Sequence, residues 1–209
     1  MKSEGNRVGP TAMGMDAVFH FVERFLGQYE ATGGPMQFFL IDRITAMDTE
    51  SATAQKAVSL AEEYLREHFR TSPVLPGVLE LEGLTQLAGW WIRHIRGFDG
   101  AEIVSLRTLQ NVKYGRFVRP GETVQYRIQL RGCEENIYAF DALAEIVETT
   151  AGGGTMPRTE SAGTSERVVS ARMTVTAHSP TDSEVTANMR QRLAVFFKSV
   201  LWRGENIPA

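Results

Sequence analysis

Apolar positions along the chain change period several times, and each change marks an element. From Pro76 onward Val78, Leu81, Leu84, Leu87, Ala88, Trp91, Ile92 and Ile95 recur at helical spacing, with Gly97 as the stop. Leu79 and Trp90 widen that surface until the helix is apolar on most sides, which predicts a helix enclosed by other structure. Elsewhere the period is two. Strands are expected at Phe38–Ala46 and Ala52–Leu60 before the helix, and at about Ile103–Phe117, Glu122–Arg131, Ile137–Val147 and Arg167–His178 after it. That order predicts an α+β class in which an antiparallel sheet wraps around one long helix.

Both ends carry additions. Met15, Val18, Phe19, Val22, Phe25 and Leu26 predict an amphipathic helix over Ala12–Gln28, with His20 as a surface or partly packed residue, inside an N-terminal extension of residues 1–34. The main domain is expected over 35–180. It is interrupted by a flexible insertion at 149–166 that holds Gly152, Gly153 and Gly154 among many Ser and Thr. Val185, Met189, Leu193, Phe196, Phe197, Val200 and Leu201 predict a further helix over Ser183–Trp202 in a C-terminal extension, 181–209.

Composition narrows the classes. The chain has 209 residues, 43% of them hydrophobic, enough for a substantial core, and its net charge of −3 argues against general nucleic-acid binding. A single cysteine, Cys133, excludes an internal disulfide and fits a reducing compartment. No signal peptide, membrane span or metal-ligand spacing is visible, so the expectation is a cytoplasmic protein without a bound metal.

Within the apolar helix Glu82 is out of place. With Gln86 and Gly89 it forms a narrow stripe of polar or small residues, and a carboxyl removed from water must be paired, hydrogen-bonded or protonated. Pro76 and Gly77 open the helix, where unpaired backbone N–H groups and the positive dipole end can receive an oxyanion. Ser72-Pro73 and Pro76-Gly77 bracket a constrained connector that holds His68 near that point. A base, an acid and an oxyanion site can then meet around one carbonyl, as a proton-abstraction and elimination reaction requires.

His68, Phe69, Pro73, Val74, Pro76, Gly77, Glu82 and Gln86 fall in register with a known signature, including its interval of 14 residues from His to acid. The segment resembles that of the 3-hydroxyacyl-(acyl-carrier-protein) dehydratases of the FabZ and FabA type. Met36–Arg43 and Asn111–Thr123 are similar to other parts of the family, so the likeness spans roughly Pro35 to His178. The chain departs from the pattern at Glu67, where the family has Gly, at Arg70-Thr71, which replace the usual Pro-Gly or Ile-Gly, and at Leu75, which replaces Met. The negative charge of Glu67 favours the protonated form of His68.

The resemblance implies the hot-dog fold and the conversion of 3-hydroxyacyl thioesters to trans-2-enoyl thioesters in fatty-acid or related lipid or polyketide synthesis. It implies His68 as base, Glu82 as acid, the Gly77 N–H at the substrate carbonyl, and Gln86 and Pro76 in support. His and acid of one site come from different subunits in the family, so it also implies a homodimer, with a trimer of dimers as the larger arrangement. No metal or organic cofactor is implied. The substrate arrives on the phosphopantetheine of an acyl carrier protein, for which Lys113, Arg116 and Arg119, with Arg93 and Arg96, could form a basic docking patch. Those charges read equally well as a solvated surface. Two other functions stay open: a hot-dog thioesterase that would not need His68, and a non-catalytic subunit that binds acyl chains or only assembles.

Overall fold

The computed structural model describes residues 39–65, 69, 71–147 and 166–202. The expected N-terminal helix with His20, the insertion over 149–165, and Glu67, His68 and Arg70 lie outside the described residues. The chain separates into two units, Met1–Phe38 and Phe39–Ala209, and the second holds every described residue.

Among the described residues six strands form one antiparallel sheet in the order β1-β2-β4-β5-β6-β3. They are β1 (Arg43–Met47), β2 (Ser51–Ala57), β3 (Ile103–Tyr114), β4 (Thr123–Glu134), β5 (Ile137–Val147) and β6 (Glu166–His178), and the long helix α1 (Gly77–Ile95) packs on one face. This is the expected α+β sheet around a helix. Alternation decides which face is covered: Val124, Tyr126 and Ile128 of β4 are buried, whereas Arg127 and Gln129 point outward. Register pairs large with small on the covered face, Tyr126 opposite Ala144 and Ile128 opposite Ala142, which leaves room for the helix. Leu84, Leu87 and Ile92 of α1 are 0% exposed, and each such burial contributes about 1.5–3 kcal/mol. Trp91 meets Phe140 edge-on at 5.4 Å and donates its Nε1–H to the Asp48 carbonyl at 2.8 Å, which fixes the rotation of the helix.

Some strand ends differ from expectation. Strand β1 begins at Arg43 rather than Phe38, because the Leu40 N–H is diverted to the Gln86 side chain and Leu40 and Ile41 are both buried instead of alternating. Strand β2 ends at Ala57 and leaves Leu60 69% exposed. Strand β3 stops at Tyr114, before the predicted Phe117. Asp42 and Arg43, adjacent in sequence, have separate partners: Asp42 accepts from Lys56 Nζ at 3.0 Å, and Arg43 donates to Gln55.

The expected single C-terminal helix is two elements. Helix α2 (Ser183–Phe196) is capped by Asp182, whose carboxylate accepts the Glu184 and Val185 N–H groups, and a wider π-type turn continues over Phe197–Leu201. Neighbouring residues in a helix point about 100° apart, so Phe196 and Phe197 meet different parts of the body. Phe196 stacks on Phe39 at 4.6 Å, while Phe197, 0% exposed, packs among Trp90, His94, Phe98 and Trp202. His94, in the last turn of α1, is stacked on Phe197, and burial together with the Lys198 charge lowers its pKa. Trp202 then forms a parallel bridge with Ile44 of β1.

Candidate active site

The start of α1 is shaped by absent side chains. Pro76 sits at the cap with φ −60°; the Leu79 N–H donates to the Pro76 carbonyl at 2.9 Å, and among the described residues no side chain caps the first turn. Gly77 is required for space: a Cβ at that position would stand 2.6 Å from the Tyr114 ring. Tyr114 ends β3, so the oxyanion candidate lies where the last residue of that strand meets the helix.

One turn further, Glu82 is fixed by a short chain of hydrogen bonds. The Leu40 N–H donates to Gln86 Oε1 at 3.0 Å, and this directs Gln86 Nε2–H to Glu82 Oε1 at 3.1 Å. Burial raises the Glu82 pKa, and the Gln86 hydrogen bond partly offsets that rise. The result is a carboxyl that holds its proton to higher pH while remaining partly open to the outside.

A second carboxyl, which the sequence pattern did not single out, lies two residues earlier. Glu80 is 2% exposed, and burial alone raises its pKa to about 8. It shares a face with Gly83, where a Cβ would stand 2.7 Å from Tyr126, and the fully buried Tyr126 hydroxyl has no hydrogen-bond partner among the described residues. A signal was present in the sequence. Glu80 occupies the position four before Leu84 and so belongs to the core-facing row of Leu84, Leu87 and Trp91.

Glu82, two residues on, points to the other side of the helix from Glu80. Gly77 lies against Tyr114 and Gly89 against Val104, so strand and helix run side by side in opposite directions. Val104, Leu106 and Leu109 are only half-buried along this flank, and β3 is an edge strand whose outer side has no neighbour among the described residues. A separate hollow of about 570 Å³ lies on the opposite face of the sheet, among Lys113, Arg127, Asp141 and Arg172, and contains none of the residues Pro76, Gly77, Glu82 and Gln86.

A FabA-like domain model matches residues 32–151. The chain belongs to the FabA-like family. It is 32% identical over 110 residues to the 3-hydroxyacyl-(acyl-carrier-protein) dehydratase FabZ of Rickettsia rickettsii (strain Sheila Smith), covering 52% of this chain and 76% of that protein. It is 33% identical over 110 residues to the protein of the same name from Sinorhizobium medicae (strain WSM419), covering 52% and 71%. Among solved structures, the dehydratase heterocomplex ApeI:P from Xenorhabdus doucetiae matches with a TM-score of 0.54 and 14% identity, over 75% of this chain and 92% of that one. That likeness supports the hot-dog fold.

In this FabA-like chain Pro76, Gly77, Glu82 and Gln86 share one helix and its cap, whereas His68 lies outside the described residues. The basic docking candidates separate. Lys113 and Arg119 are exposed, while Arg116 is held between the carboxylates of Glu122 and Glu166. Arg96 donates to Asn136 Oδ1 at 2.8 Å. Arg93 lies over the Trp90 ring, partly buried, and its Nη2–H donates to the Glu102 carbonyl at 3.1 Å. Among the described residues no helix is long and apolar enough to cross a membrane.

Proposed function

We propose that the chain removes water from 3-hydroxyacyl thioesters carried on an acyl carrier protein, giving trans-2-enoyl thioesters for fatty-acid or related lipid synthesis. Its FabZ relatives are named for this reaction. The observation that carries the site assignment is Glu82: a carboxyl biased toward its protonated form, oriented by Gln86, on a helix whose N-terminus is uncapped.

In this reading His68 takes the proton alpha to the thioester carbonyl, since an imidazole ordinarily titrates near neutrality. Negative charge develops on the carbonyl oxygen and is met by the Gly77 N–H at the positive end of α1. The double bond forms as the C3–O bond breaks, and Glu82 gives its proton to the departing hydroxyl, which leaves as water. Every step is a proton transfer or a bond rearrangement within the substrate, so no metal or organic cofactor is needed. A second copy supplies His68 to each site by pairing along β3, whose open edge and half-exposed Val104, Leu106 and Leu109 support that assignment.

Incubation with a short 2-enoyl thioester tests this, with loss of the enoyl absorbance and release of free thiol followed together. Hydration that disappears in both His68→Ala and Glu82→Gln, each still folded, is the expected result. Thiol release without hydration would mean a thioesterase, and neither product would mean a non-catalytic subunit.

A further inference from the structure

The hollow of about 570 Å³ on the sheet face opposite α1 is bordered by Lys113, Arg127, Arg167 and Arg172, which come from three different strands. Register brings them together. Thr53, Arg127, Leu143, Ser170 and Lys113 form one row across β2, β4, β5, β6 and β3, and Asp141 and Arg172 stand in the next row. The short side chains of Thr53, Leu143 and Ser170 leave the floor low between the long cations.

Lys113 reaches this face through a bulge. Gln110 pairs with Arg172, but Ser170, two residues before Arg172, pairs with Lys113 rather than Val112, and Asn111 takes φ +54°. One extra residue exchanges the two faces for the rest of the strand. Lys113 therefore turns outward, while Tyr114, opposite the buried Val169, lies against Gly77. The hollow thus ends one residue along β3 from the strand's contact with the first turn of α1.

These cations are weakly neutralised. Among the described residues Lys113 and Arg167 have no ion pair, since Glu145, opposite Arg167 in register, lies instead 3.5 Å from Arg127. Arg172 is 3.6 Å from Asp141, whose closer contact is Arg131 at 2.6 Å. On a chain of net charge −3, positive potential is concentrated here. From β4 to β3 the cations span three strand spacings, roughly 14 Å, more than one phosphate group bridges and close to the width of a helix, about 10–12 Å. None of the lining residues is aromatic, so nucleic-acid bases have nothing to stack on. A second copy would set cations against cations across a two-fold axis. An acidic protein helix is the remaining complement.

We propose that this outer face, through Lys113, Arg127, Arg167 and Arg172, docks an acidic helix of the carrier protein that delivers the thioester. This rests on the dehydratase reading above. It replaces the patch of Lys113, Arg116 and Arg119, in which Arg116 is already held by two carboxylates.

The test compares kcat/KM for hydration of one four-carbon 2-enoyl group carried on acyl carrier protein and on free pantetheine. In the wild type the carrier-linked form should be the better substrate, and added salt should erode that advantage. Lys113→Glu combined with Arg167→Glu should lower the carrier-to-pantetheine ratio about tenfold, through KM rather than kcat. Arg127→Gln and Arg172→Gln, which put no new charge beside Glu145 or Asp141, should each lower it about threefold. Arg192→Glu, at an exposed position on α2, should leave the ratio as it is. A wild type with no preference for the carrier-linked form would overturn the proposal. So would a ratio that none of the hollow's variants changes, or that Arg192→Glu lowers equally. Hydration of the pantetheine thioester with such a ratio removes the docking face alone, whereas no hydration of either substrate removes the dehydratase reading and the docking face with it.

Discussion

Helix α1 carries two perturbed carboxyls two residues apart, and they have opposite surroundings. Glu80 is sealed against the sheet beside Tyr126, and burial alone acts on it. Glu82 is half-buried on the open flank, and burial acts on it together with a hydrogen bond from an amide whose own orientation is fixed by the Leu40 N–H. The carboxyl whose pKa is pushed to about 8 is therefore the one a substrate has no visible path to reach. Perturbation marks where water has been excluded, whereas chemistry also needs access and a defined orientation.

The comparison breaks most directly at Glu82. Glu82→Gln keeps the shape and loses the proton, so hydration of a short enoyl thioester should fall about 100- to 10,000-fold while the urea midpoint barely moves. A variant that unfolds instead would put Glu82 among the structural residues. Glu80 should behave in reverse. Its folded-state pKa of about 8 lies above the ordinary 4.5, so its relative contribution to stability is fully present below pH 4.5 and is lost as pH rises through 8. At pH 7, Glu80→Leu should therefore stabilise the protein by about 3 kcal/mol and flatten the pH dependence of urea unfolding between about pH 5 and 8. No gain in stability would mean that the carboxyl has a partner in solution.

Smaller changes sharpen the contrast. Gly77→Ala forces its new methyl against Tyr114, at a cost of about 1–3 kcal/mol, and Tyr114→Ala in the same chain should recover most of that loss. Failure of the second change to help would place the strain elsewhere. Gln86→Ala removes a bond to each side, leaves the Leu40 N–H without its acceptor, and should lower stability by about 1 kcal/mol. Its alkaline activity limb should move upward, because the Gln86 hydrogen bond is what lowers the Glu82 pKa.

Legibility in the sequence obeys the same division. The helix begins at Gly77 as expected, because proline and glycine leave little choice, and β5 has its predicted limits, with alternation running through its first eight residues. Glu80 is easily passed over because α1 is apolar nearly all round, and only its place four before Leu84 marks it as facing the sheet. Lys56 escapes notice for a related reason. It is 7% exposed and neutralised by Asp42 and Glu62, partners that come together only when β1, β2 and the segment after it are in place. The π-type turn at Phe197 depends on the aromatic cluster it serves, and no local pattern announces it.

The bridge between Trp202 and Ile44 has an effect on how copies of this chain can add to one another. The backbone at Trp202 lies against one rim of the sheet at Ile44 of β1, while the rim at β3 has no strand beside it among the described residues. Edge pairing is therefore obstructed at Ile44 and open along β3. The C-terminal segment thereby leaves the two rims unequal.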